Sequence, residues 1–263
     1  MLSIISDIHL SDGTTSFNVH KEAFLKVFKR NVINSAIDDK SIKEVKIIIL
    51  GDIFDFVRID YWLRITPAER PWNGSLEKNS AMNNNSELIK NHYINVLNNI
   101  FSAKDESAKS FIETLNSIKS ELKKYDNTKN IPVEIHYVIG NHDRILNNFV
   151  ELKDLINSKL TSYNKDEIFY RNEFDSDEYT VLCRHGHEYD ATNYGKEIYA
   201  YMNKINPEKL TRFDKKLYSV QSIGEVVTAE LMSGIIYRLS NKQADPKFIS
   251  LVKDVNNVRP LTD

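Results

Sequence analysis

Hydrophobic residues along this chain alternate between short continuous runs and stretches with helical spacing. The continuous runs, which predict β-strands, cover Leu2–Ser6, Val45–Leu50 and Val133–Ile139. Val45–Leu50 is rich in β-branched residues, a pattern typical of a strand that is buried on both faces. Between the first two runs, apolar residues recur at a helical period within Phe17–Ile37, at Phe24, Val27, Phe28, Val32 and Ile33. The order strand, helix, strand predicts an α/β fold with a largely parallel sheet.

The remainder of the chain predicts two further strands followed by helices. The strands are Ile168–Tyr170 and Tyr179–Arg184, separated by an acidic turn at Asp175–Asp177. Four helical patterns follow, at Tyr194–Asn203, Leu210–Gln221, Ile223–Leu239 and Phe248–Val255. We therefore expect one domain over residues 1–263, with a mainly helical C-terminal part over residues 194–263.

About 80 residues separate the second and third predicted strands, far more than the usual connection of about 4–6 residues. Two helical patterns fill this connection, from Ile89 to Ile100 and from Phe111 to Leu122. The segment Asn83–Asn85 predicts a loop before them. We interpret residues 60–130 as a helical insertion, which is either a cap near an active site or an outer helical layer. The sequence favours neither alternative.

Composition limits the classes of partner and the compartment. Charged residues make up 27% of the chain and its net charge is −2, so nothing global favours nucleic acid or anionic membranes. Cys183 is the only cysteine, which excludes an intramolecular disulfide and fits a reducing compartment. No stretch reaches the ~20 apolar residues of a membrane span, and the N-terminus lacks the features of a signal peptide. We therefore expect a cytoplasmic protein without a membrane span.

Polar residues with metal-binding side chains follow the predicted strands. They form four clusters, at Asp7/His9, Asp52/Asp55, Asn141/His142/Asp143 and His185/His187. In open α/β sheets, ligands bind beyond the carboxyl ends of the strands, so these clusters are candidates to converge. The mixture of oxygen and imidazole donors suits Mn, Fe, Co, Ni or Zn better than calcium. Each cluster alone is weak evidence, because a strand-end aspartate is often a helix N-cap and Gly-Asn-His-Asp is also an ordinary turn sequence.

The order of these clusters resembles that of the calcineurin-like metallophosphoesterases. That family has the successive motifs Asp-x-His, Gly-Asp-x-x-Asp, Gly-Asn-His-Asp/Glu, a His often followed by Gly, and finally Gly-His-x-His. The first four match Asp7-Ile8-His9, Gly51-Asp52-Ile53-Phe54-Asp55, Gly140-Asn141-His142-Asp143 and His185-Gly186, over roughly residues 1–190. The resemblance implies a two-sheet α/β sandwich with outer helices. It also implies an enzyme that hydrolyses phosphomonoesters, phosphodiesters or pyrophosphates.

The resemblance further implies a centre of two divalent metal ions. It assigns Asp7 and His9 to one ion, Asn141 and His185 to the other, and Asp52 to both. Two such ions hold the phosphate oxygens and lower the pKa of a shared water, so that hydroxide attacks in line without a protein nucleophile.

The remaining motif residues are expected to assist the metals. The resemblance makes His142 the group that donates a proton to the leaving oxygen or stabilises the transition-state charge. Asp143 is expected to orient His142 through a hydrogen bond, and Asp55 to support a ligand rather than bind a metal. Cys183, at the end of an apolar strand, is expected in the core without a chemical role.

The fifth motif of the family is missing, because no histidine follows His187. In the family this motif supplies one ligand to each metal, so both sites would lack a protein ligand. One explanation, which we favour, is that the chain is a fragment. The other is that His187 completes the site, since residues two apart on a strand share a face unless Gly186 turns the chain. The position held by Asn141 and His185 should be the looser, because Asp52 is its only anionic ligand.

The sequence leaves the substrate open. The motifs resemble those of double-strand-break repair nucleases, while His-Gly followed by Glu188-Tyr189-Asp190 is similar to the UDP-diacylglucosamine pyrophosphohydrolase branch. The near-neutral charge favours a phosphorylated small molecule, a nucleotide or a lipid-linked substrate over duplex DNA. A non-catalytic scaffold that has lost a metal is the alternative outside enzymes, although the presence of His142 and Asp143 argues against it. Five further residues are candidates either for a phosphate or base pocket or for surface and core positions: Arg58, Trp62, Arg64, Arg70 and Trp72.

Overall fold

The computed structural model describes residues 1–72, 87–242 and 244–258. It is an α/β structure with a four-stranded sheet in the order β1-β2-β3-β4 and a two-stranded sheet of β5 and β6. The strands are β1 Leu2–Ile5, β2 Val45–Leu50, β3 Val133–Val138, β4 Ile168–Arg171, β5 Phe174–Ser176 and β6 Val181–Cys183. The first four are parallel and the last two antiparallel, so the predicted α/β class with a parallel sheet is confirmed. The predicted loop at Asn83–Asn85 lies outside the described residues.

The pairing register brings the carboxyl ends of the first three strands to one edge of the sheet. Ile5 of β1 pairs with Ile49 of β2, and Leu50 of β2 pairs with Val138 of β3. Neighbouring strands in a sheet lie about 4.8 Å apart. The polar clusters that follow these strands therefore begin close to one another.

Both faces of β2 are covered, which explains its continuous apolar sequence. Successive side chains of a strand point to opposite faces of the sheet. Ile47 and Ile49 lie in the main core with the helices, whereas Ile48 packs with Phe174 and Cys183 of the antiparallel pair. The antiparallel pair therefore covers the face of the sheet opposite to the helices, and Cys183 is a core residue, as predicted.

Helices cover the main core and make up most of the chain after β6. Their bounds are α1 Lys21–Ala23, α2 Lys29–Asp38, α3 Tyr61–Arg64, α4 Glu87–Phe101, α5 Ser107–Leu122, α6 Val150–Lys159, α7 Lys196–Asn203, α8 Ile223–Val226, α9 Ser233–Asn241 and α10 Pro246–Val258. A π-helical turn at Phe24–Phe28 joins α1 to α2, and another at Val227–Met232 joins α8 to α9. Within the described ranges, no helix has the length and apolar character that crossing a membrane requires.

Helices α4 and α5 lie in the long connection between β2 and β3. Both contribute side chains to the main core. Leu97 of α4 and Phe111 and Leu115 of α5 are buried in the main core. Helix α5 packs against α2, and α4 packs against α6. These two helices therefore form part of an outer helical layer. The division of the chain into an insertion over residues 60–130 and a C-terminal part over residues 194–263 stays a prediction.

Two predictions of local structure are wrong. Leu210–Gln221 is not one helix: Leu210 and Asp214 are extended, and only a 3-10 turn at Lys215–Ser219 is helical. The side chain of Asp214 accepts a hydrogen bond from the amide of Lys216, a local contact that competes with a continuing helix. Asp175 and Ser176 of the predicted acidic turn lie in β5 instead, and the turn falls at residues 177–180.

Candidate metal centre

The segments that follow β1 and β2 run side by side beyond the end of the sheet. The amide of Asp7 donates a hydrogen bond to the carbonyl of Gly51, and the amide of His9 donates to the carbonyl of Asp52, over 3.2 and 2.9 Å. Further along, the amide of Asp55 donates to the carbonyl of Leu10 over 2.8 Å. These backbone contacts hold the first two polar clusters next to each other.

Gly51 and Gly140 allow the clusters at residues 141–143 and 185–187 to come close to Asp52. A Cβ atom on Gly51 would lie 2.2 Å from Cδ2 of His185 and 2.9 Å from Cα of Gly140. A Cβ atom on Gly140 would lie 2.2 Å from Oδ1 of Asp52. Any side chain at either position would therefore push apart the groups that meet here.

Three of the candidate ligands also have an unfavourable backbone conformation. Asp7, His9 and Asp52 have φ angles of 54°, 52° and 53°. This left-handed region costs a non-glycine residue on the order of 1–3 kcal/mol, and such residues cluster at functional sites. Three strained residues within two adjoining segments are therefore an observation, separate from residue type, that favours a functional site.

Asp7, Asp52 and His185 form what we call the open group. Their ligand atoms lie within 4.8 Å of one another. Nε2 of His185 is 3.5 Å from Oδ1 of Asp7 and 3.5 Å from Oδ2 of Asp52, yet it is buried without a hydrogen-bond partner. Two carboxylates and an imidazole nitrogen, too far apart for strong hydrogen bonds, are donors of the kind that bind divalent cations.

The two oxygen atoms of Asp52 have different surroundings. Oδ1 accepts a hydrogen bond from the amide of His142 over 2.9 Å. Oδ2 lies 3.5 Å from Nε2 of His185 and 3.8 Å from Nε2 of His9. The side chain is thus anchored by one oxygen, while the other lies between two imidazoles.

His9, Asp55 and His142 form what we call the closed group. Oδ2 of Asp55 accepts from Nε of Arg58 over 2.5 Å and lies 3.2 Å from Nδ1 of His9. Its Oδ1 lies 3.0 Å from Nδ1 of His142 and accepts from the amides of Val57 and Arg58. Asp55 is fully buried, and the guanidinium of Arg58 balances its charge. These contacts are of the kind a supporting residue makes, and the role of Asp55 stays a prediction.

All three imidazoles of the two groups are anchored through Nδ1. His9 and His142 contact Asp55 in this way, and Nδ1 of His185 lies 3.2 Å from Nδ1 of His187. The rings of His9 and His142 meet edge to face with centroids 4.7 Å apart. Anchoring at Nδ1 leaves Nε2 of each ring as the nitrogen that can meet a cation or a substrate.

The expected hydrogen bond between Asp143 and His142 is a wrong prediction. The carboxylate of Asp143 accepts instead from the hydroxyl of Tyr137 and from the amides of Ile53 and Gly140, over 2.6, 3.0 and 2.6 Å. Asp55 takes the place beside the ring of His142. Asp143 therefore ties together the segments that carry the ligands rather than orienting the imidazole.

Asn141 and His187 differ in their placement. Asn141 is buried and directly follows Gly140, so it lies at the same edge as the open group. His187 lies in neither group, because Gly186 has a φ of 98° and turns the chain into a 3-10 turn at His187–Tyr189. The ring of His187 instead contacts that of His185.

The charges of the open group move two pKa values in opposite directions. Burial works to raise the pKa of Asp7, but interactions with His185 and Ser6 outweigh it and lower this pKa to about 2. Burial works to lower the pKa of His185, but the carboxylates of Asp52 and Asp7 raise it to about 9. Both shifts show that the pair of carboxylates favours a positive charge beside it.

The closed group has its own pKa pattern. Burial works to raise the pKa of Asp55, but the charges of Arg58 and His142 hold it well below its usual value. Burial lowers the pKa of His187, outside the group, to about 4, so that ring is neutral near pH 7.

The five residues considered for a substrate pocket have structural contacts. Arg58 binds Asp55, Trp62 is fully buried, and Arg64 pairs with Asp60. Arg70 and Trp72 both donate hydrogen bonds to Glu230 of the π-helical turn before α9. These contacts support the surface and core positions rather than a pocket.

Two residues hold the site together in ways that the sequence did not predict: Arg58, which was considered only for a pocket or for a surface or core position, and Tyr137, which was not considered. Arg58 balances the charge of Asp55, and Tyr137 donates to Asp143. A signal for Arg58 was its position three residues after Asp55, where a turn brings the two together. Tyr137 had no such signal, because a tyrosine inside an apolar strand is usually a core residue.

Comparisons of the chain with protein-family models, with curated proteins and with solved structures give no match.

Proposed function

We propose that this chain is a metal-dependent hydrolase of phosphate esters, of the calcineurin-like metallophosphoesterase type. The observation that carries the proposal is the convergence of Nε2 of His9 and Nε2 of His185 on Oδ2 of the buried Asp52, over 3.8 and 3.5 Å. A carboxylate oxygen between two imidazole nitrogens offers a ligand that two neighbouring cations can share. The parallel sheet with an antiparallel pair on its other face is compatible with the two-sheet sandwich of that family, which we propose as the fold type.

Five residues would hold the two cations. Asp7, His9 and Asp52 would hold one, and Asp52, Asn141 and His185 the other. The strained backbone at Asp7, His9 and Asp52 supports this assignment, because strain persists where function requires a fixed geometry. The donor set suits Mn, Fe, Co, Ni or Zn.

When bound, the cations would polarise the phosphate and lower the pKa of a water molecule. The chain contributes the remaining steps. Asp55 holds the ring of His142 at Nδ1. Nε2 of His142 is then the atom that donates a proton to the leaving oxygen. Asp143 accepts from the amides of Ile53 and Gly140 and so fixes the two segments next to Asp52 and Asn141.

For the substrate we propose a phosphorylated small molecule, a nucleotide or a lipid-linked phosphoester. The net charge of −2 supports this class over duplex DNA, since non-specific duplex binding depends on many lysine and arginine contacts with phosphates. The five basic and aromatic residues after the second motif support neither class, because they have structural contacts.

The test is hydrolysis by protein that has first been stripped with a chelator and then reloaded with Mn²⁺. We expect turnover of p-nitrophenyl phosphate or its bis-ester after reloading and none before it, with metal content followed by elemental analysis. Cleavage of single-stranded DNA alone would assign the nuclease alternative. Bound metal without turnover of any of the three substrates would support the scaffold, and failure to bind metal would overturn the proposal.

A further inference from the structure

His185 differs from the other two site histidines in the partner of its Nδ1 atom. His9 and His142 both place Nδ1 against Asp55, whereas Nδ1 of His185 lies 3.2 Å from Nδ1 of His187. A hydrogen bond between two ring nitrogens needs one N–H donor and one bare acceptor. The direction of this bond therefore decides where His185 carries its proton.

Only one direction leaves His185 able to bind a cation. A metal-binding imidazole must present a bare nitrogen, and Nε2 is the atom that lies 3.5 Å from Asp7 and from Asp52. In a neutral ring, Nε2 is bare only when Nδ1 carries the proton. His185 must then donate from Nδ1, and His187 must accept at its own Nδ1.

The surroundings of His187 hold its ring in position. The turn at Gly186 takes His187 out of the strand direction, and its ring packs edge to face on Tyr194 and Tyr218, with centroids 5.6 and 5.8 Å away. Tyr218 donates a hydrogen bond to Glu188 over 2.8 Å, and Glu188 also accepts from the amide of Gly186. The turn and the aromatic rings are thus tied together, which fixes the position of the acceptor.

We propose that His187 is a positioning residue, which accepts a hydrogen bond from Nδ1 of His185 and so fixes the tautomer whose Nε2 faces Asp7 and Asp52. The inference rests on the proposed metal-dependent function. It gives His187 a task at the site without making it a metal ligand. Loss of such a supporting partner lowers metal affinity about 10–100-fold in known sites.

Two variants separate the hydrogen bond from ring packing. His187→Phe keeps a ring between Tyr194 and Tyr218 but has no acceptor, and His187→Asn restores an acceptor close to the position of Nδ1. The control, His136→Phe, replaces a buried histidine on β3 whose ring also packs on two aromatic side chains. In calorimetric titration with Mn²⁺, we expect His187→Phe to bind about 10–100-fold more weakly. His187→Asn should recover most of the affinity, and His136→Phe should keep it.

A spectroscopic measurement on the unsubstituted protein checks the tautomer directly. With Zn²⁺ bound, ¹⁵N-edited spectra should show a proton on Nδ1 of His185 and none on Nδ1 of His187. Unchanged affinity in a folded His187→Phe, or a proton on Nδ1 of His187, overturns the role of His187 and leaves the metal-dependent function standing. Failure of the unsubstituted chain to bind Mn²⁺ overturns both. If His187→Phe does not fold, the spectra decide.

Discussion

The open and closed groups adjoin each other and use the same residue types, but their charges are balanced differently. In the closed group, one carboxylate contacts two imidazoles and the guanidinium of Arg58. In the open group, two carboxylates face one imidazole, and no salt bridge from a described lysine or arginine reaches them. Among the described residues, the permanent positive charge of an arginine therefore balances the closed group alone, whereas the open group depends on a proton on His185 or on a bound cation.

This difference indicates that the two groups have separate tasks. A buried carboxylate is costly unless a positive charge or hydrogen bonds compensate it, and the closed group meets that requirement within the fold. It is therefore suited to hold His9 and His142 in fixed orientations. In the open group, Asp7 is exposed and the buried Asp52 accepts one amide hydrogen bond, so the remaining negative charge is balanced when a proton or a metal ion joins the group. This surplus of negative charge suits the open group to attract a cation.

Asp52→Asn should have the largest effect and is the strongest test of the open group. Since Oδ2 of Asp52 lies near Nε2 of both His9 and His185, loss of its charge would disturb both proposed cations. We expect metal-dependent turnover to fall by more than the about 10–100-fold that loss of a supporting partner costs. Steady-state rates and elemental analysis measure this. The control is Asp60→Asn, which alters another buried carboxylate, paired with Arg64, and should keep its metal. Equal activity in the two variants would contradict the special role of Asp52 in the open group.

His142→Ala should have the next largest effect, and it separates orientation from binding. His142 is not one of the five proposed ligands, so its loss should leave the metals in place while the rate per bound metal falls about 10²–10⁴-fold, as expected for a general acid. Measuring kcat and metal content on the same sample checks both parts. His92→Ala on α4, where Nδ1 contacts the hydroxyl of Tyr61, is the control and should change neither. Loss of metal at constant activity per metal would assign His142 to binding instead.

Asp55→Asn should reveal the structural task of the closed group through stability. The substitution removes the negative charge from beside the buried guanidinium of Arg58, and breaking a buried ion pair costs about 3–5 kcal/mol. Asp7→Asn in the open group should cost about 1 kcal/mol or less, because that side chain is 59% exposed and its interactions are screened. Chemical denaturation of the metal-free variants measures both. Equal losses would mean that the groups do not differ in charge balance.

The arrangement of the strands could be predicted from the sequence, whereas the hydrogen-bond partners of the site side chains could not. Continuous β-branched runs predict Val45–Leu50 and its neighbours correctly, because burial on both faces of a parallel sheet leaves no polar alternation. The clusters after these strands follow from the topology, which brings the carboxyl ends together. The partner of His142 did not follow. Asp143 is its neighbour in sequence, but backbone amides and Tyr137 take that carboxylate, and Asp55 reaches the ring from another strand end.

The C-terminal part was harder to predict for a related reason. The apolar spacing within Leu210–Gln221 fits a helix, but Asp214 binds its own backbone and begins a shorter turn. Similarly, His187 is two residues after His185, and only the positive φ of Gly186 shows that the two rings contact each other instead of lying on one face of a strand. Periodicity predicts which elements form, whereas turn conformations and side-chain competition become visible only in three dimensions.

The pH dependence of the metal-free protein should show the smallest effect, and it tests whether a proton takes the place of the cation in the open group. Burial works to lower the pKa of His185, but Asp52 and Asp7 raise it to about 9. Because the folded pKa lies above the value of about 6.5 in the unfolded chain, this contribution is fully present below pH 6.5 and is lost as the pH rises toward 9. For Asp7, whose folded pKa is lowered to about 2, the contribution to stability is present above about pH 4 and is lost as the pH falls toward 2.

We expect the free energy of unfolding, measured with a chelator present, to fall by about 1–2 kcal/mol between pH 6.5 and 9. The fall is limited to this size because the exposed Asp7 is partly screened by solvent. His185→Gln should flatten this part of the profile, and so should Mn²⁺, since a bound cation displaces the proton. A slope that persists unchanged in His185→Gln would place the titrating group outside the open group.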